Sequence, residues 1–156
     1  MRRSITLKIP GDLSQLAPVA SAVDGLLAEN AIAPDVAFQV NLCIDELVTN
    51  AVRHGVAAGG GKPLKIGVRV TVGRRRGVEI QVSDDGAAFD PLTAPPPDLD
   101  AGVEDRQVGG LGVHLVRTFM DEVLYARHGD RNVVTLRKRA DGTAVTAPDA
   151  AAPSRS

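Results

Sequence analysis

Two runs of strictly alternating residues, joined by a short polar connection, constrain the fold of this chain more than any other feature. In residues 64–72, Leu, Ile and Val alternate with Lys, Gly, Arg and Thr, and apolar residues alternate again in residues 78–82. A period of two is typical of a strand with one buried face. Because only residues 73–77 join the two runs, we predict an antiparallel hairpin.

Other segments of the chain carry helical periodicity. Apolar residues recur at helical spacing in residues 13–27, where Asp12 and Gln15 resemble a capping box and Pro18 requires a later start or a bend. A second helix is predicted from about residue 34 to about residue 54, with Gly55 as its C-terminal stop. A third helix is predicted to open at residues 109–112. Further strands are predicted at residues 5–9, 123–127 and 133–138.

This order of elements predicts an α/β (α+β) two-layer sandwich. About three helices would cover one face of a mostly antiparallel sheet. One domain is expected over residues 1–139, and the Ala-, Pro-, Thr- and Ser-rich residues 140–156 predict a disordered tail. Residues 91–110 lack periodicity, and a loop of that length in a small domain is usually functional or disordered.

Composition excludes several classes of function. The 156 residues carry 18 Lys plus Arg against 19 Asp plus Glu, which argues against a generically basic nucleic-acid binder. Aromatic residues are only 3% of the chain, so stacking platforms for single strands are not expected. A single cysteine, Cys43, excludes a disulfide framework and fits a small buried hydrophobe. The chain has no bilayer-length apolar run and no signal-peptide pattern at its start, so a cytoplasmic protein is expected.

Three polar residues share one face of the second predicted helix. Glu46, Asn50 and His54 fall at i, i+4 and i+8, on the border of the apolar stripe rather than on the solvent side, where Asp45 points. An amide oxygen can bind Mg²⁺, and a carboxylate beside it can accept a proton from a hydroxyl. A partly exposed polar edge explains the same pattern, and on this evidence alone it is the stronger explanation.

An acidic pair ends the second strand of the hairpin. Asp84 follows Val82 by two residues and should therefore face the core, where it needs a hydrogen-bond donor such as the exocyclic amine of adenine. Gly86 would permit a close approach or a positive φ. A solvated turn is the alternative, and Asp85 fits that alternative better.

A glycine-rich segment, residues 109–112, opens the third predicted helix. Exposed backbone N–H groups at a helix start attract phosphate. A flexible hinge is the alternative explanation, and a glycine-rich stretch alone is a weak signal. Residues 59–62 are not a phosphate-binding loop of the Walker type, because Pro63 follows where Ser or Thr is required.

The three motifs together resemble the GHKL ATPase superfamily of gyrase, heat-shock chaperones, histidine kinases and MutL. Residues 46–55 (ELVTNAVRHG) resemble its N box, residues 84–91 (DDGAAFDP) its first glycine box and residues 109–116 (GGLGVHLV) its second. Their order and spacing are similar to those of the RsbW-like bacterial anti-sigma factors and serine-protein kinases. The resemblance covers residues 4–139 and implies a Bergerat-type ATP-binding fold.

The resemblance also implies roles for matching residues. Glu46 would be the general base for a substrate serine, Asn50 the Mg²⁺ ligand and Asp84 the carboxylate that reads adenine. Residues 91–108 would form an ATP lid, with Arg106 reaching the γ-phosphate. The other nucleotide contacts that the resemblance implies are His54, Gly86, Phe89, Gly109, Gly110, Leu111, Gly112, Val113 and Thr135.

By resemblance, the chain is expected to be a Mg·ATP-dependent serine/threonine kinase and anti-sigma factor. The expected partners are an anti-anti-sigma (STAS) protein as substrate, a sigma factor and a second copy of the chain, with no direct role for nucleic acid or membrane. The chain has no room for the dimerisation helices of a histidine kinase, so the substrate is expected in another protein. Two alternatives are a nucleotide-dependent module that sequesters a partner without phosphorylating it and a purely structural domain.

Overall fold

The computed structural model of this protein describes residues 2–58, 63–93 and 110–139. The predicted tail, and the predicted lid beyond residue 93, lie outside the described residues. The elements in chain order are β1 (Arg3–Pro10), α1 (Leu16–Glu29), α2 (Pro34–Ala58), β2 (Lys65–Val72), β3 (Val78–Asp84), α3 (Gly110–Phe119), β4 (Glu122–His128) and β5 (Arg131–Lys138). Single 3₁₀ turns at Leu13–Gln15 and Pro91–Thr93 precede α1 and follow β3.

The described strands form one sheet, and every pairing in it is antiparallel. Its spatial order is β1-β2-β3-β5-β4. The predicted hairpin is β2–β3, with Val72 paired to Val78 and Ile66 to Asp84. Its turn closes through the Gly73 N–H, which donates to the Gly77 carbonyl over 2.8 Å. The predicted antiparallel α/β sandwich is confirmed.

The core lies between the helices and one face of the sheet. Alternate residues of β2 and β3 are buried, as their sequences predict, and Val70, Ile80 and Leu136 are fully enclosed. The stripe of α2 packs against them through Val40, Ile44 and other residues. Each large apolar side chain buried in this way contributes about 1.5–3 kcal/mol to folding. Within the described ranges, no helix has both the length and the apolar character needed to cross a bilayer.

The start of α1 differs from the predicted capping box. Asp12 accepts a hydrogen bond from the Ser14 N–H over 2.9 Å and so caps the short 3₁₀ turn rather than pairing with Gln15. Because α1 begins at Leu16, Pro18 lies in its first turn. An N–H there has no partner within the helix, so proline is tolerated at this position.

Gly55 does not stop α2, which continues to Ala58. The glycine is needed for packing instead, since a Cβ there would lie 2.8 Å from both Cδ atoms of Leu64. Gly86 packs on the same region, because its Cβ would lie 3.1 Å from Leu64 Cδ1 and 3.4 Å from Gly55 Cα. Close approach, not a positive φ, therefore explains Gly86. These contacts hold the turn after β3 against the end of α2.

Candidate functional site

The predicted polar face of α2 is partly buried beneath the turn that follows β3. Asn50 is only 5% exposed and Glu46 is half-buried. Arg53 Nη1 donates to Asn50 Oδ1 over 3.0 Å. An amide oxygen has two lone pairs, and Arg53 is the only described residue that donates to Asn50 Oδ1, so one acceptor position remains with respect to the described residues.

Glu46 has an unusual environment for a carboxylate. Its Oε2 is buried and has no hydrogen-bond partner among the described residues. Burial raises the pKa of Glu46 above its ordinary value, while the charge of Arg53 and the amide of Asn50 act in the opposite direction. A carboxylate whose charge is penalised by burial takes up a proton more readily than an exposed one. Glu46 can therefore act as a proton acceptor.

Asp84 lies at the end of β3 and faces the helices, as its alternation predicts. Its Oδ1 accepts two hydrogen bonds, from the Gly86 N–H and from Asn132 Nδ2, each over 2.9 Å. None of the described residues donates a hydrogen bond to Asp84 Oδ2. The protein thus supplies two of the hydrogen-bond donors that the sequence predicts for Asp84. Its Oδ2 can still accept a hydrogen bond from a ligand.

Asn132, on β5, is the polar centre that the sequence analysis missed. It is 5% exposed and in register with Asp84. Its Oδ1 accepts hydrogen bonds from the Phe89 N–H (3.1 Å), Tyr125 Oη (2.6 Å) and Arg127 Nη1 (3.2 Å). Its Nδ2 also donates to the carbonyl of Ala87 over 2.9 Å. Asn132 therefore fixes the turn after β3 to β4 and β5.

An aromatic pair borders the same region. The rings of His54 and Phe89 are stacked, with centroids 3.8 Å apart and planes 24° from parallel. Burial, and to a lesser degree the charge of Arg53, lower the pKa of His54. A neutral imidazole is therefore favoured near pH 7, which suits stacking rather than anion binding. The pair connects α2 to the segment that leads into the predicted lid.

A small cavity of about 20 Å³ lies between these elements. It is lined by Leu47, Asn50, Ala51, Val82, Asp84, Phe89, Pro91, Asn132 and Val134. A cavity of this size holds about one water molecule. The structure therefore brings the α2 amide and the β3 acid together around this cavity.

Helix α3 begins at Gly110, as the glycine-rich segment predicts. Gly110 and Gly112 lie in its first turn, where backbone N–H groups have no partner within the helix. Val113 is buried and α3 packs against α2. Arg117 Nη2 donates to the Leu92 carbonyl over 2.7 Å, which ties α3 to the short turn at Pro91–Thr93. The glycines thus open a helix beside the N box.

A family profile described as the histidine kinase-like ATPase domain matches residues 9–138. The chain belongs to this family. Its relatives include the serine/threonine-protein kinase BtrW of Bordetella bronchiseptica, 37% identical over 99 residues that cover 64% of this chain and 68% of BtrW. They also include the serine-protein kinase RsbW of Listeria monocytogenes, 29% identical over 140 residues, which cover 86% of this chain and 87% of RsbW.

The fold is also found in solved structures. The RsbU and RsbW domains of Rv1364c from Mycobacterium tuberculosis match with a TM-score of 0.61 at 17% identity, covering 88% of this chain and 32% of that chain. At this identity the match shows the fold alone. The predicted resemblance to GHKL ATPases of RsbW type is confirmed.

One predicted site residue of this histidine kinase-like ATPase domain, Thr135, does not lie beside Asn50 and Asp84. The structure therefore corrects the prediction that Thr135 contacts the nucleotide. It points to the opposite face of the sheet from Val134 and Leu136, and Gln81 Nε2 donates to its Oγ1 over 3.4 Å. Arg106, Gly109 and the side chain of Leu111 lie outside the described residues. No group of three His, Cys, Asp or Glu side chains in the described ranges could hold a metal.

Cys43 has the expected structural role. It is 1% exposed in the core, and burial raises the pKa of its thiol to about 12. A thiol with such a pKa is not ionised near neutrality and is unreactive.

Proposed function

We propose that this chain is a Mg·ATP-dependent serine/threonine-protein kinase and anti-sigma factor whose substrate is an anti-anti-sigma protein of the STAS type. The names of the relatives support the activity, since BtrW is named a serine/threonine-protein kinase and RsbW a serine-protein kinase. The observation that carries the proposal is the buried Oε2 of Glu46 beside Asn50, which has no hydrogen-bond partner among the described residues. A general base requires such a carboxylate oxygen, whereas a module that only binds nucleotide does not.

In this proposal the adenine end of ATP meets Asp84. Its Oδ2 accepts a hydrogen bond from the exocyclic amine, while Oδ1 stays fixed by Gly86 and Asn132. The free N–H groups at the start of α3, at Gly110 and Gly112, bind phosphate oxygens. Arg106 remains a proposed γ-phosphate contact, and Thr135 has no part in the site.

The described residues fit a single magnesium ion bound mainly through ATP. Asn50 Oδ1 keeps one lone pair, and Mg²⁺ in phosphate-binding sites takes few protein ligands and retains waters. The described ranges contain no group of three His, Cys, Asp or Glu side chains that could hold a metal, which is consistent with that mode. When bound, magnesium would offset the charge of the phosphate oxygens.

Glu46 accepts the proton of the substrate hydroxyl. The serine oxygen then bonds to the γ-phosphorus as the bond from phosphorus to the ADP oxygen breaks, and the proton stays on Glu46 until solvent removes it. The raised pKa of Glu46, caused by burial, brings its proton affinity closer to that of a base working near neutral pH.

The proposal is tested with the Glu46→Gln variant, purified STAS protein and γ-labelled Mg·ATP. We expect phosphotransfer to fall at least ~100-fold, because a general base contributes about 10²–10⁴, while calorimetry still detects ATP binding. Asp45→Asn is the matched control, since Asp45 is the neighbouring carboxylate on α2 but is exposed. If both variants transfer phosphate at the wild-type rate, Glu46 is not the base.

The partners are tested by a pull-down with phosphosite mapping. The proposal expects a STAS protein phosphorylated on serine or threonine, a sigma factor that competes with it, and a dimer mass by light scattering. Wild-type protein that binds ATP and a STAS protein but never labels it would instead support the alternative of sequestration without phosphorylation.

A further inference from the structure

The sheet face opposite the helices carries a depression of about 580 Å³. Its lining comes from β1, β2, β3 and β5, and includes Thr6, Lys8, Lys65, Arg69, Ser83 and Arg131. Asn50 and Asp84 face the other side of the sheet. The volume lies within the range of small-molecule sites, about 300–1,000 Å³, and is far larger than the cavity near Asp84.

Four cations surround one glycine in this depression. Lys65 and Arg69 flank Gly67 along β2, and their Cα atoms lie about 7 Å from the Gly67 Cα, at a spacing of two residues. Lys8 is directly opposite Gly67 on β1, with the two Cα atoms about 5 Å apart. Arg131 reaches in from β5, with Nη2 3.8 Å from where a Gly67 Cβ would lie. These four residues are hereafter the cation ring.

No carboxylate among the described residues neutralises the cation ring. The lining contains neither Asp nor Glu. The salt bridges recorded in the described ranges involve Arg137 with Glu79 and Glu122, not members of the ring. Asp85 lies nearby but accepts from the backbone N–H of Lys65 and is not part of the lining. The sheet face around Gly67 therefore carries positive charge that no carboxylate of the lining compensates.

The floor of the depression depends on the absence of a side chain at Gly67. A Cβ there would lie 2.9 Å from Ser83 Oγ, closer than side chains tolerate. Ser83 Oγ instead accepts a hydrogen bond from Arg131 Nη2 over 3.0 Å. Glycine inside a strand costs about 0.5–1 kcal/mol and often marks the close approach of a ligand. The floor thus combines an open backbone, a hydroxyl and a guanidinium.

We propose that the cation ring binds a small multivalent anion of the phosphate class. Four charges around one glycine match a compact, multiply charged group better than the separated single charges of an acidic peptide. Arg69 and Arg131 supply planar guanidinium groups suited to phosphate. A second copy centred here by a twofold axis would set cation against cation. This site is independent of the proposed kinase activity.

Amide NMR of the full-length protein, titrated with inorganic pyrophosphate, tests the proposal. Two further arms use inorganic phosphate and a phosphoserine peptide, and the tighter ligand identifies the source of the phosphate. The variants are Lys8→Gln/Arg131→Gln and the matched control Arg74→Gln, which removes an exposed cation at the hairpin tip outside the ring. Lys8→Gln alone serves if the double variant does not fold.

We expect saturable chemical-shift changes at the amides of Gly67 and Arg69. The affinity for pyrophosphate obtained from them should fall at least tenfold in the double variant and less than twofold in Arg74→Gln. Shifts confined to the region of Asn50 would overturn the proposal, as would equal affinity in all variants. A poly-glutamate peptide that binds as tightly as pyrophosphate would overturn the phosphate class. Shifts at Gly67 that depend on protein concentration alone would assign the face to a second copy instead.

Discussion

The two ends of the buried sheet face share one backbone register but have opposite chemistry. Toward the β2–β3 turn, the inward positions of β3 and β5 carry Ile80 and Leu136, which are fully enclosed and apolar. Two rungs further along, the same inward positions carry Asp84 and Asn132, paired in register and hydrogen-bonded to each other. Helix α2 follows the change, from Val40 at one end to Asn50 at the other.

The difference shows how the fold separates stability from chemistry. Apolar burial needs no particular partner, whereas each buried polar group needs one. Asn132 is bonded through both of its side-chain polar atoms. Within this polar end, Glu46 Oε2 is the described side-chain atom left buried without a partner. The apolar end stabilises a scaffold on which that one oxygen is kept available.

Truncating the apolar end should have the largest effect. Ile80→Ala is expected to lower the free energy of unfolding by about 2–5 kcal/mol, because it removes packed methyl groups and leaves a cavity. The affinity of the folded protein for ATP should hardly change, since Ile80 does not line the polar cavity. Urea denaturation and calorimetry measure the two quantities. If Ile80→Ala lowered the free energy of unfolding less than Asn132→Ala does, the comparison between the two ends would be reversed.

Truncating a side chain at the polar end should lower the free energy of unfolding less than Ile80→Ala does, but should weaken ATP binding more. Asn132→Ala is expected to lower the free energy of unfolding by about 1–3 kcal/mol, because part-buried groups such as Tyr125 Oη lose a partner. ATP binding should weaken as Asp84 loses one of its two donors.

Thr135→Ala is the matched control for Asn132→Ala, on the same strand but the other face. It should change stability by no more than about 0.5 kcal/mol and leave ATP affinity intact. Weakened ATP binding in Thr135→Ala would restore the site role that its position argues against.

The smallest effect concerns pH. Burial raises the pKa of Glu46 above 4.5 in the folded state, so the folded protein binds more protons than the unfolded chain between the two pKa values. Stability due to this group therefore falls as pH rises through that window. Denaturation of wild type and Glu46→Gln from pH 4 to 8 should show wild type losing stability relative to the variant. Parallel curves would mean that the carboxylate is not buried at a cost.

Where one face of a strand is apolar and the other polar, the sequence predicts the structure well. Strict alternation in β2 gives its buried face directly, and the i, i+4 spacing of Glu46 and Asn50 gives their shared side of α2. In β5 the signal fails, because Val133 and Val134 are adjacent and apolar. Neither Asn132 nor Thr135 can then be assigned to a face until β5 is in register with β3.

The periodicity of single segments was enough to predict the antiparallel hairpin, the sheet with one buried face and the polar edge of α2. Each of these features depends on which residues of one segment share a face, and periodicity shows that directly. Tertiary structure decided the rest. That Gly55 makes room for Leu64, that Asn132 holds Asp84, and that Lys8 and Arg131 lie beside Gly67 all depend on residues 9 to 64 positions apart in sequence. Such contacts follow from strand register and helix packing, which no single segment specifies.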